Sequence, residues 1–292
     1  MRFWLPVLLS AALLAVGAGS ALAVPSLAGP TGLVMLPTAE IAPADLWQVT
    51  VGHRSFDVAA MYGGGDSDVS TWAFSLLKGV ADDAELWVAF QRVTDGTDSD
   101  LWEYGGKYQL SENLFPRMAL LGGAKVSVGA SLGRWSNAVG MGALSMYEEG
   151  EGAFGGDVET LRAYLVASKQ LVPEYTGEWV WGTDALGTRI VASAGVMYLR
   201  VDAEEAGADS LIRPFLGLQV FGRRNLELCA EYRLKDSDLE DDNVFSVAVR
   251  KPFGNATIFE AGLTNGDPIG LGNIDATLYL RLAYSWPTEA YQ

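Results

Sequence analysis

The sequence predicts an all-β protein, an antiparallel transmembrane β-barrel of about twelve strands. Three observations point there. The closing stretch Asp275–Trp286 puts Leu278, Leu280, Leu282, Tyr284 and Trp286 in one register and Thr277, Tyr279, Arg281, Ala283 and Ser285 in the other. Successive strand side chains point to opposite faces, so one face is apolar and the other polar, as a wall between lipid and a hydrated lumen requires. Alternating segments near ten residues long recur along the chain. The odd-numbered connections are acidic or glycine-rich and often long, and most of the others are short, the pattern of outer loops and periplasmic turns. A soluble secreted β-sandwich or barrel would also alternate. The aromatic-rich apolar face and the loop parity favour the membrane barrel.

Residues 1–23 read as a secretory signal peptide: Arg2, the apolar run Leu5–Val16, and an A-x-A site at Ala21-Leu22-Ala23. Removing them leaves 269 of 292 residues and moves the formal net charge from −16 to −17. That charge disfavours nucleic acid as a partner, because no basic footprint is present. Past the signal no apolar run suffices for a helical span, so entry into a membrane requires a closed barrel. The nine tryptophans and eleven tyrosines suit the aromatic girdles of an outer-membrane barrel. The expected location is therefore the cell outer membrane, with its lipid as the first partner. The single Cys229 excludes an intrachain disulfide, and the single His53 excludes a histidine-rich metal site. No cofactor is implied.

Residues 24–45 carry four prolines, which disfavour a helix or central strand. They read as an extended periplasmic segment, at the mouth or tucked into the barrel. The barrel is expected over 46–286, with a tail at 287–292. Strand one spans 46–54, with Trp47, Val49 and Val51 opposed to Gln48, Thr50 and Arg54. Strand two spans 69–78, and strand three 84–93, with Leu86, Val88 and Phe90 opposed to Glu85, Trp87 and Gln91. Strand four spans 100–110, with Trp102, Tyr104 and Tyr108 opposed to Glu103, Lys107 and Gln109. Strand five is placed at 117–128, with Lys125 on the polar face, and a long connection at 129–158.

Strand six spans 159–170, with Leu161, Ala163 and Leu165 opposed to Arg162, Tyr164 and Ser168. Strand seven spans 188–201, with the least clear alternation. An acidic loop is placed at 202–210 and strand eight at 211–221. Strand nine spans 225–234, with Leu226, Leu228, Ala230 and Tyr232 opposed to Glu227, Cys229, Glu231 and Arg233. Strands ten and eleven span 243–252 and 256–264, carrying Arg250 and Glu260 on their polar faces.

The candidate lumen charges are Arg54, Glu85, Glu103, Lys107, Lys125, Arg162, Glu227, Glu231, Arg233, Arg250, Glu260 and Arg281. Two readings stand. Fixed charges line a selective channel, or paired charges fill and block a narrow barrel. The close mixing of signs favours the second. Glu260 and Arg281 lie on consecutive strands. So do Arg233 and Arg250, a like-charged pair that needs Glu227 or Glu231 beside it. The acidic clusters Asp66/Asp68, Glu148–Glu151, Asp202–Glu205 and Asp236–Asp242 offer hard oxygen ligands for divalent cations, but such runs are usually solvated surface and none completes an EF-hand. No metal site is assigned. No G-x-S-x-G is present, and His53 shares the register of Trp47, Val49 and Val51, so it reads as interfacial rather than as a catalytic base. No catalytic residue is assigned. Cys229, among lumen charges, reads as small filler rather than a reactive thiol.

The stretch 25–47, P-S-L-A-G-P-T-G-L-V-M-L-P-T-A-E-I-A-P-A-D-L-W, resembles the N-terminal signature of YjbH-like outer-membrane proteins, G-x-T-G-L followed by P-[ST]-A. The matching residues are Gly29, Thr31, Gly32, Leu33, Pro37, Thr38 and Ala39. The resemblance implies a non-enzymatic outer-membrane barrel associated with exopolysaccharide production or export, with polysaccharide or envelope secretion components as partners. A porin-type channel for small solutes is the alternative, and an outer-membrane hydrolase the third reading.

Overall fold

A register in which every second residue is apolar cannot bury its apolar row inside a single wall, so that row must find another apolar phase. The computed structural model resolves this with twelve antiparallel strands closed into a barrel. It describes residues 26, 30, 32–57, 68–94, 99–110, 123–136, 157–172, 189–203, 207–222, 226–235, 243–253, 256–266 and 273–286. The strands are β1 (Trp47–Asp57), β2 (Asp68–Ala81), β3 (Ala84–Thr94), β4 (Ser99–Leu110), β5 (Lys125–Ser136), β6 (Val158–Val172), β7 (Arg189–Ala203), β8 (Gly207–Phe221), β9 (Glu227–Arg233), β10 (Val244–Phe253), β11 (Thr257–Gly266) and β12 (Asn273–Trp286).

Each strand pairs with its sequence neighbours, and β1 closes on β12 with Trp47 opposite Trp286. Closure leaves no unpaired strand edge, the condition for strands to cross a bilayer. The outward row is apolar and uncovered: Leu86, Ile212, Leu216 and Leu278 are each more than half exposed. Water would not tolerate so continuous an apolar band, whereas lipid does. Within β12 the two registers separate cleanly, with Leu278, Leu280, Tyr284 and Trp286 exposed and Tyr279, Arg281, Ala283 and Ser285 buried.

Two stretches depart from the sequence reading. The fifth strand is Lys125–Ser136, running past the expected end at 128, so residues placed in the long connection belong to the wall. Residues 117–122 of the expected strand lie outside the described residues. Gly129 is a lumen position rather than a strand end: a Cβ there would lie 2.4 Å from the Tyr164 hydroxyl of β6. The missing side chain makes room for a neighbour's ring, and a pattern search reads the gap as a turn. The acidic loop placed at 202–210 is also mostly strand. β7 and β8 stay paired to Ala203 opposite Gly207, because backbone pairing continues past the point where the apolar alternation fades.

The signal peptide 1–23, Gly29, Thr31, the tail 287–292, most of the acidic clusters and residues 137–156 lie outside the described residues.

Candidate functional site

The lumen holds both the inward charges and the chain's own N-terminal segment. Of the twelve candidate charges, Arg54, Glu85, Glu103, Lys107, Glu231, Arg233, Arg250, Glu260 and Arg281 are buried. Arg162 and Glu227 are slightly exposed, and Lys125 is part-exposed, with its side chain 38% accessible.

Strand register turns four of them into a row. Glu227 lies opposite Arg250, Arg250 opposite Glu260, and Glu260 opposite Arg281. The signs alternate along β9–β12. Arg250 Nη1 meets Glu227 Oε1 at 3.1 Å, Arg250 Nε pairs with Glu260, and Arg281 Nη2 reaches Glu260 Oε2 at 2.5 Å. The Tyr279 hydroxyl donates to the other Glu260 oxygen at 2.7 Å. Burying charge is costly unless each ion is paired and hydrogen-bonded. Every member of this row has an opposite charge beside it, but Arg281 leaves its Nε and Nη1 buried without an acceptor among the described residues. The expected like-charged neighbours Arg233 and Arg250 do not face each other: Arg233 lies opposite Val244. The two occupy distant positions along their strands, so no acidic bridge between them is needed.

A second group lies across the lumen. Glu85 and Lys107 are directly opposite on β3 and β4 and pair at 2.9 Å with both side chains fully buried. Glu103 takes Arg162 at 2.9 Å and the Ser131 hydroxyl at 2.6 Å.

Between these groups runs the segment 32–46. It turns sharply at 33–36, where Leu33 N donates to Leu36 O at 2.8 Å and Gly32 bridges Pro37. Gly32 is required there, because a Cβ would lie 2.2 Å from Leu36 O. The wall grips this turn from two sides. The Glu231 carboxylate of β9 accepts the N–H groups of Val34, Met35 and Leu36 at 3.1, 2.9 and 3.0 Å. Arg250 donates through Nη2 to Gly32 O at 2.9 Å and to Leu33 O. Leu33 lies against Gly217 of β8, where a Cβ would come within 2.0 Å of its Cδ1. Leu33 and Val34 cluster with Cys229, Ala248 and Tyr279.

The rest of the segment descends through the barrel. Lys107 donates to Thr38 O at 3.3 Å, Ser127 to Ala39 O at 2.8 Å, and Ala39 N to Ser168 Oγ at 2.9 Å. Ala42 N donates to Glu85 at 2.8 Å. Leu36, Ala39, Ala42 and Leu46 pack with Leu77, Trp87, Tyr164, Val166, Met197 and Phe215. Near the barrel end, Asp45 takes the left-handed conformation (φ 64°), which Asp tolerates in turns. Asp45 N then donates to Gly79 O at 2.9 Å.

Five of the seven signature residues, Gly32, Leu33, Pro37, Thr38 and Ala39, therefore occupy the lumen and are buried. The sequence reading missed Arg213 of β8, which is fully buried. A period-two count through Arg213, Phe215 and Gly217 against Ile212, Pro214 and Leu216 would have found it. Ser168 falls on an expected polar face, and Ser127 shares the register of Lys125, but no local pattern marks a serine that meets a distant peptide group. His53 has its ring centroid 4.6 Å from that of Trp72, its partner across β1 and β2. Among the described residues no group of three or more His, Cys, Asp or Glu could hold a metal ion.

No protein-family profile matches the sequence, and no curated protein does either. Solved structures with a similar barrel include the KdgM porin in complex with disordered oligogalacturonate, at 10% identity and a TM-score of 0.49, covering 82% of this chain and 99% of that one. The β domain of the Bordetella autotransporter BrkA follows at 14% identity and 0.43, covering 83% and 99%. An outer membrane channel from Pseudomonas putida F1 gives 14% and 0.42, covering 85% and 98%.

Proposed function

We propose that the protein is a non-enzymatic outer-membrane barrel of the porin type, closed in the state described by its own N-terminal segment and open to small solutes when that segment leaves its seat. One observation carries the reading: residues 32–46 occupy the lumen through hydrogen bonds and apolar packing to the wall. Contacts of that kind are reversible. The apolar exterior and the signal peptide expected at 1–23 support placement in the outer membrane, with lipid as the partner, and the acidic chain disfavours nucleic acid. His53, its ring tilted 59° against Trp72 of the neighbouring strand, fits an interfacial aromatic contact better than a catalytic base.

A second reading is favoured by a different observation. Five of the seven residues that resemble the YjbH-like signature lie in the lumen, which supports reading that stretch of the signature as a plug. In that reading the barrel serves exopolysaccharide secretion or envelope structure. Gene deletion in the native host should then reduce surface polysaccharide, with restoration by the wild type but not by Gly32→Val. Unchanged polysaccharide would remove this reading.

For the channel, the test is conductance of the full chain in planar bilayers, wild type against Leu33→Glu/Leu36→Glu. Both leucines are buried, and carboxylates there would meet the Glu231 charge and a dry pocket. The wild type should be mostly silent and the variant should conduct in steps. A folded variant with no steps would sink the porin reading.

A further inference from the structure

The contacts that seat the segment address its main chain. Six wall side chains on six strands, Glu85, Lys107, Ser127, Ser168, Glu231 and Arg250, each reach a peptide N–H or C=O. At the turn the match is closest, with one carboxylate for three successive N–H groups and one guanidinium for two successive carbonyls. A charged group that accepts or donates several main-chain hydrogen bonds makes strong, geometrically specific contacts. The side-chain demands are of another kind. The seat wants an apolar residue against Gly217 and small residues where Ala39 and Ala42 pass the wall.

We propose that the lumen is a peptide-binding site, occupied in cis by residues 32–46, and that it binds a free peptide carrying the same turn in trans. The ligand class is a short, largely apolar peptide with a tight glycine-containing turn that presents three successive N–H groups. The proposal rests on the plug reading for release of the resident segment. It does not depend on whether solutes then pass.

Cys229 supplies the readout. It is the chain's single cysteine, it is buried, and it packs against Leu33 and Val34. A polar maleimide should label it slowly in the wild type and at least about tenfold faster in full-length Leu33→Glu/Leu36→Glu. Folding of the barrel is checked by its heat-dependent gel mobility. A synthetic peptide spanning 30–43 should then slow the labelling of the variant saturably. The same peptide N-methylated at the positions of Val34, Met35 and Leu36 should protect at least about tenfold less well at equal concentration. If the unmodified peptide gives no protection to the folded variant, the trans site does not exist. If the N-methylated peptide protects equally, recognition does not run through those N–H groups. Since conductance is not measured, a failure here is separable from a failure of the channel reading.

Discussion

The two ends of the plug are held by different physics. The turn at 32–37 is clasped by Glu231 and Arg250, and Arg250 belongs to the alternating row of charges across β9–β12. The stretch 39–46 makes single hydrogen bonds to separate side chains, Ser127, Ser168 and Glu85, and packs Ala39, Ala42 and Leu46 into an apolar seat built from Leu77, Trp87, Tyr164, Val166, Met197 and Phe215. A charged clasp is specific and brittle: it holds one geometry, and removing one partner strands the other in a dry site. An apolar seat is tolerant, because packing contacts are many and individually small. The difference assigns the ends separate roles. If the segment plugs the barrel as proposed, the clasp sets whether the turn is engaged and the seat keeps the segment inside the barrel when it is not.

The sharpest way to break that assignment is Glu231→Ala. Three peptide N–H groups lose their acceptor at once, while Arg250 keeps its pairs with Glu227 and Glu260. Breaking a buried, charge-assisted clasp costs about 3 kcal/mol or more. Maleimide labelling of Cys229 should accelerate by roughly a hundredfold, taking 1.4 kcal/mol per tenfold change. The barrel's thermal unfolding should move much less, since β9 keeps its strand pairings. Unchanged labelling would mean that Glu231 does not hold the turn.

Leu46→Ala tests the other end. Leu46 is 2% exposed, and truncating a buried leucine costs about 2–5 kcal/mol through lost burial and the cavity left behind. Here the effect should appear in thermal unfolding of the folded barrel, with Cys229 labelling changed by less than about threefold. If Leu46→Ala exposes Cys229 as much as Glu231→Ala does, the two ends act as one cooperative unit and the comparison fails.

The contrast also explains what could be read from the sequence. The wall was legible because a strand's period of two is local: β12, β9 and β3 declare both faces within ten residues. The alternating row was half legible. Glu260 and Arg281 fall on adjacent strands, but whether charges on adjacent strands meet depends on register, and the neighbours Arg233 and Arg250 turn out to be separated along theirs. β5 was ended too early because Gly129 serves the Tyr164 ring rather than a turn, a reason that lies on another strand. The clasp was illegible, because Val34 and Glu231 are 197 residues apart. Prolines and glycines around 24–45 signal irregular backbone but not where it docks.

The smallest expected effect is the most discriminating about what counts as part of the clasp. Lys125 Nζ meets Glu40 of the segment at 3.0 Å, with both side chains nearly two-fifths accessible. It looks like the buried pairs in distance and differs from them in solvent. Water already stabilises both ions, so the pair contributes at most about 1 kcal/mol and is weakened by salt. Lys125→Ala should therefore change Cys229 labelling by less than about fivefold, and the difference from wild type should vanish in 1 M salt. The acceleration caused by Glu231→Ala should persist there, because its cause is a lost acceptor in a site that salt does not screen. If high salt abolished both effects alike, the clasp would be a solvated electrostatic contact, and its distinction from the seat would have to be drawn from packing alone.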